Sequence, residues 1–331
     1  MSGKIGFTTT IPVEILYAAG MTPVDLNNIF IASPEATRMV TRAEEEGYPR
    51  NTCTWIKGLY SVAQNLDLEG MIAVLQGDCS NTEALMETLQ LKGLSVIPFA
   101  YPFDRTYTGM ASQISQMMER FRVTPEQVAA IKQKLDRIRS KCGEIDRMTW
   151  QDNLISGEEN HLFLISTSDF NGDLEVFERS VDSLIKESQT RTPYRDEVRL
   201  AYIGVPPIFT DFYSVLESMG ARVVFNEVQR QFSMPQASKD IVQQYLDYTY
   251  PYGAFGRIAD IQPHLTERGI DGILHYTQTF CYRQIEDLIF REKLSYPFLT
   301  LEGENPGKVD ARTKMRLETF VNMLKMNRLQ N

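Results

Sequence analysis

Two α/β halves, each built on a parallel sheet, with a helical insert between them, are the fold class that this sequence predicts. Three observations lead there. Short apolar runs alternate with amphipathic segments as far as Phe99, the strand pattern stops near Arg105, and it resumes at Arg199 and continues almost to the end.

The elements follow in order. Lys4 to Thr9 reads as a strand, Pro12 to Gly20 as a short helix opened by proline and closed by glycine, and Thr22 to Leu26 as a second strand. Trp55, Ile56, Leu59, Tyr60 and Val62 share one face of a helix over Thr54 to Asn65, with Cys53 at its N-terminus. Met71 to Leu75 is a buried-type strand, Thr82 to Leu91 a helix and Leu94 to Phe99 a strand. In the insert, Thr124-Pro125-Glu126-Gln127 carries the capping-box pattern. Val128, Ile131, Leu135, Ile138, Cys142 and Ile145 then form one stripe, so Cys142 reads as a small core residue. Asp173 to Ile185 is a further helix, and Lys186 to Pro193 an exit linker.

The second half repeats the first. Arg199 to Gly204 and Arg222 to Phe225 are strands around a helix over Asp211 to Met219. A helix over Lys239 to Tyr248, capped by Ser238, leads to an aromatic loop as far as Gly253. Ile270 to His275 is a strand, Cys281 to Phe290 a helix, Tyr296 to Leu301 the last strand and Ala311 to Met326 the closing helix. The expected organisation is an N-terminal α/β domain over 1–104, a helical insert over 105–195 and a C-terminal α/β domain over 196–331.

Composition narrows the function. A chain of 331 residues exceeds one ordinary core, and its net charge of −9 argues against a nucleic-acid partner. No secretory leader or membrane span is read from the sequence, so a cytoplasmic protein is expected. Four cysteines without CxxC spacing make no disulfide framework.

Three of those cysteines stand where a turn opens into a helix: Cys53, Cys79 after Gln76-Gly77-Asp78, and Cys281 after Gln278-Thr279-Phe280. Cys79 and Cys281 each follow a strand, at equivalent places in the two halves, where parallel sheets gather ligands. Helix N-termini are expected to lower their thiol pKa. From spacing alone the readings stand open: three unrelated buried thiols, an iron-sulfur cluster, or zinc with an open fourth position. His275 is expected near the cleft in a hydrogen-bonded role, and His161 and His264 show no ligand spacing. Asp78 and Glu286 are candidates for acid/base work or for helix capping, and Tyr248, Tyr250 and Tyr252 for pocket lining or packing. Gly204-Val205-Pro206-Pro207 lacks dinucleotide and P-loop patterns.

The segment from Thr9 through Pro12-Val13-Glu14-Ile15-Leu16 to Val24, the three cysteine stretches, Tyr296 to Glu302 and Arg312 to Phe320 resemble the 2-hydroxyacyl-CoA dehydratase D-component and benzoyl-CoA reductase family, which also contains double-cubane cluster proteins. The resemblance implies two flavodoxin-like domains and a cluster between them, held by Cys53, Cys79 and Cys281; a 4Fe-4S cluster is expected, with a double cubane as the other form. It implies low-potential one-electron reduction, an ATP-dependent activator carrying its own iron-sulfur cluster, an acyl-CoA or other small substrate, and a homodimer or a heterodimer with a related subunit. Departures are the short N-terminus and Ser80, which follows the second cysteine where many relatives place an acid. No residue matches a CoA site.

Overall fold

The computed structural model describes residues 3–195 and 198–330, so the expected boundary at 195/196 touches residues outside it. The N-terminal lobe runs β1 (Lys4–Phe7), α1 (Val13–Ala18), β2 (Thr22–Asp25), α2 (Leu26–Ala32), α3 (Ala36–Glu45), α4 (Thr54–Asn65), β3 (Gly70–Gln76), α5 (Asn81–Leu91) and β4 (Val96–Ala100). Its four strands are all parallel in the order β2-β1-β3-β4. The helical segment comprises α6 (Tyr107–Phe121), α7 (Pro125–Trp150), α8 (Gly157–Ile165), two 3-10 turns (Ser166–Ser168 and Phe170–Gly172) and α9 (Leu174–Ser188).

The C-terminal lobe runs β5 (Val198–Gly204), α10 (Phe212–Ser218), β6 (Ala221–Asn226), α11 (Glu227–Phe232), α12 (Ile241–Asp247), α13 (Ala254–Glu267), β7 (Gly272–Gln278), a 3-10 turn (Tyr282–Glu286), α14 (Asp287–Lys293), β8 (Phe298–Gly303) and α15 (Ala311–Gln330). Its sheet is again all parallel, in the order β6-β5-β7-β8. The two strand orders correspond position by position, which makes these two flavodoxin-like α/β domains.

Packing explains how the lobes are held. One apolar cluster joins the first sheet to α7 and α9 through Phe7, Ile72, Leu135, Ile138 and Val181. A second runs from α4 (Ile56, Leu59) into the other lobe at Leu200, Tyr202 and Leu274, so the lobes share a core. Cys142 is fully buried on the α7 stripe, as its spacing required. The Thr124 capping box is present with both of its reciprocal bonds.

Four details differ from the sequence reading. Asp240, not Ser238, caps α12 by accepting from the Gln243 amide at 2.9 Å, whereas Ser238 Oγ donates to Asp247. The exit from α9 begins at Gln189, three residues past the expected start at Lys186. Cys281 opens a 3-10 turn before α14 rather than one continuous helix. Finally α2, α3, α11 and α13 carry no expectation: α11 is buried along its whole length, so it has no polar face, and α13 accommodates Pro263 inside a helix. Among the described residues no helix is long and apolar enough to cross a membrane.

Candidate functional site

In each lobe the carboxyl ends of the strands open toward the other lobe, and the loops there enclose one cavity of about 100 Å³. Cys53, Cys79 and Cys281 all line it. Thr8 and Thr9 come from the end of β1 and Asp25 from the end of β2; Val205 and Gln278 come from the ends of β5 and β7. Cys142 lies elsewhere, in the apolar cluster under α7.

Each cysteine is positioned by a distinct local device. Cys53 is the N-cap residue of α4 in extended backbone, so its thiol lies over the free amides of Trp55 and Ile56. Cys79 follows a turn made at Gly77, whose φ of +94° favours glycine. A Cβ at Gly77 would lie 2.8 Å from the Pro251 side chain, so the turn is pressed against the opposite lobe. The Asn81 amide donates to Cys79 Sγ at 3.4 Å. Cys281 follows Phe280, a non-glycine residue at φ +65°, a strained conformation of the kind that gathers at functional sites.

The electrostatics correct one expectation. Helix-end amides do lower the thiols, but burial dominates: it pushes Cys53 up to about 12 and Cys79 up to about 11, and Cys281 moves in the same direction. The desolvation of a charge in this apolar box exceeds what the amides return. The Arg283 guanidinium opposes the rise of both Cys79 and Cys281; it is buried and donates to Tyr250 O at 2.8 Å and Glu286 Oε1 at 3.1 Å. Behind it Glu286 and Glu227 both bind Arg257.

The remaining candidates divide. Asp78 lines the cavity, and burial raises its carboxyl to about 6. Glu286 is committed to Arg257 and Arg283. Tyr250 lines the cavity, Tyr248 is buried in the core, and Tyr252 faces a neighbouring hollow of about 650 Å³. That hollow shares Asp78 with the thiol cavity and is walled by Tyr101, Phe103, Phe255 and Tyr282. No histidine lines either space: His275 pairs with Asp287 Oδ1 at 2.7 Å, His161 with Gln229 at 3.0 Å and His264 with Glu267 at 3.0 Å.

Asp25, Asn27, Thr8 and Thr9 are cavity residues that the sequence reading missed. The rule that pointed to Cys79, that ligands gather past strand ends, applies equally to the ends of β1 and β2. Among the described residues no three His, Cys, Asp or Glu side chains are grouped so as to hold a single metal ion. The thiols share a cavity without closing on one point.

The family model described as 2-hydroxyglutaryl-CoA dehydratase, D-component, matches residues 8–324. No curated protein matches the chain.

Proposed function

The chain belongs to the 2-hydroxyglutaryl-CoA dehydratase D-component family, a family of dehydratase-type enzyme components, and from that premise we propose that it is the iron-sulfur subunit of a 2-hydroxyacyl-CoA dehydratase or benzoyl-CoA reductase-like system. The observation that carries this reading is the convergence of Cys53, Cys79 and Cys281, and of no histidine, on one cavity between the lobes. Soft thiol donors in threes, with an amide already directed at one sulfur, fit an iron-sulfur body.

In this reading Cys53, Cys79 and Cys281 hold the group, a 4Fe-4S cluster or a double cubane. When bound it supplies low-potential one-electron reduction, fed by an ATP-dependent activator with its own cluster. The chain's own share is to keep water out with Trp55, Ile56 and Leu59, to place Arg283 against the negative charge that thiolates bring, and to set Asp25 and Asp78 beside the bound substrate. The domains are taken as 1–104, 105–195 and 196–331, and the working unit as a homodimer or a heterodimer with a related subunit.

A second reading is a double-cubane-type reductase or electron-transfer protein acting on a small non-CoA substrate. The small cavity favours the small substrate over an acyl-CoA, since ligand pockets usually span about 300–1,000 Å³. Anaerobic purification with iron and acid-labile sulfide assays tests the cluster. An iron-free chain after reconstitution would overturn both readings, while turnover of acyl-CoA by the loaded protein with its activator separates the first from the second.

A further inference from the structure

The hollow of about 650 Å³ beside the thiol cavity has the size of a small-molecule pocket. Both lobes build it. Tyr101 and Phe103 come from the chain leaving β4, Tyr252 and Phe255 from around the start of α13, and Tyr282 from the turn after Cys281. Tyr101 and Tyr252 are buried, but Phe103 and Phe255 are 87% and 66% exposed, so two large rings of the wall are left open. Aromatic rings gain by edge-to-face or offset contact with another ring, which suits this wall to a flat aromatic body.

One charge at the hollow is held in place without a counterion. Among the described residues the partners of Arg105 are neutral: Nη2 donates to the Leu246 carbonyl at 2.7 Å, and the guanidinium lies 4.2 Å over the Tyr252 ring. A Cβ on Gly256 would lie 2.8 Å from Arg105 Nη1, so the glycine leaves the space that the guanidinium occupies. Arg105 takes φ +51°, a left-handed backbone uncommon for a residue with a side chain, and strain of this kind gathers at functional sites. The other charges are engaged. Arg283 and Glu286 pair with each other at 3.1 Å, Asp104 accepts from the amide and hydroxyl of Thr106, and Asp78 accepts from Thr82 where the hollow meets the thiol cavity. A planar guanidinium fixed by stacking, with its charge unanswered, is a ready partner for a carboxylate.

We propose that the hollow binds a small aromatic carboxylic acid, its ring against Phe103, Phe255 and Tyr282 and its carboxylate on Arg105. Arg105 is the residue that sets specificity: it selects an anion over a neutral molecule of the same shape. Asp78 lines both spaces, and Tyr282 follows Cys281 directly, so the occupant lies against the wall of the thiol cavity. The inference rests on the second reading of that cavity and names the class of its small non-CoA substrate.

Titration calorimetry of the full chain without cluster tests this, with 3-phenylpropanoate as the probe. Saturable binding of the acid is expected, and its neutral amide, 3-phenylpropanamide, should bind about tenfold or more weakly. Arg105→Met should weaken the acid by a similar factor and leave the amide unchanged, whereas Phe255→Ser should weaken both. Both side chains are exposed, so the variants should melt with the wild type. No saturable binding of the acid, equal affinity for acid and amide, or an unaltered acid affinity in Arg105→Met overturns the proposal. Coenzyme A binding more tightly than the acid, and losing affinity in Arg105→Met, overturns it as well. Should Arg105→Met fail to fold, the wild type's preference for acid over amide and its loss of affinity in Phe255→Ser decide, and the absence of either overturns it. Binding is read without iron, so a chain that loads iron yet ignores the acid refutes this inference alone.

Discussion

Arg139 Nη1 lies 2.7 Å from Glu14 Oε1, and both side chains are buried. The pair joins α1 of the first lobe to α7 of the helical segment, and Gln244 and Tyr245 of α12 complete the shell around the carboxylate. Burial pushes Glu14 up, yet Arg139 outweighs it and holds the carboxyl below its ordinary value. Replacing Arg139 by Met leaves that charge uncompensated, with an expected loss of about 3–5 kcal/mol. Adding Glu14→Gln should recover a large part of the loss; urea denaturation of the single and double variants measures it.

Substitution of Cys53, Cys79 or Cys281 by Ser should each lower bound iron and sulfide severalfold after anaerobic reconstitution. Cys142→Ser serves as the contrast. It should load iron like the wild type but lose about 1–3 kcal/mol of stability, because it buries a hydroxyl in an apolar cluster. Equal iron loss in all four variants would refute the assignment.

Gly77→Ala should reduce iron loading although it touches no thiol. A Cβ there meets Pro251 and Tyr101 at 2.8 and 2.9 Å, and the backbone conformation disfavours side chains. The turn carrying Asp78 and Cys79 must shift, at about 1–3 kcal/mol. Iron stoichiometry and melting temperature should fall together.

Burial lowers His161 from 6.5 to about 4, and Gln229 pairs with its Nδ1. The folded pKa is depressed, so between these values the unfolded chain binds a proton that the folded chain does not, and stability falls as pH drops through that window. In His161→Asn, whose Oδ1 offers an acceptor near Nδ1, the slope of stability against pH should decrease by about one proton per chain. Denaturant midpoints across the window check it.

Much of this was legible in the sequence, for identifiable reasons. Long-period or sharply bounded signals transferred directly: the Thr124 box, the α7 stripe that makes Cys142 core, and the α4 face from Thr54 to Asn65. What failed was context. The buried α11 has no periodicity to read, and Pro263 looks like a break but sits in a helix. Ser238 and Asp240 are both good caps, and only the chain path decides between them. The thiol pKa direction was missed because helix ends are local, whereas burial is a property of the closed fold. Arg105 and Tyr252 are far apart in the chain, and nothing local announces their meeting.

The helical segment is bonded to both lobes, through Glu14 and Arg139 on one side and through Asp146 and Arg268 on the other. The placement of the lobes that carry the three cysteines is therefore braced by protein charge pairs. On the proposed reading a cluster would assemble on a ready-made template, with little chain entropy left to surrender.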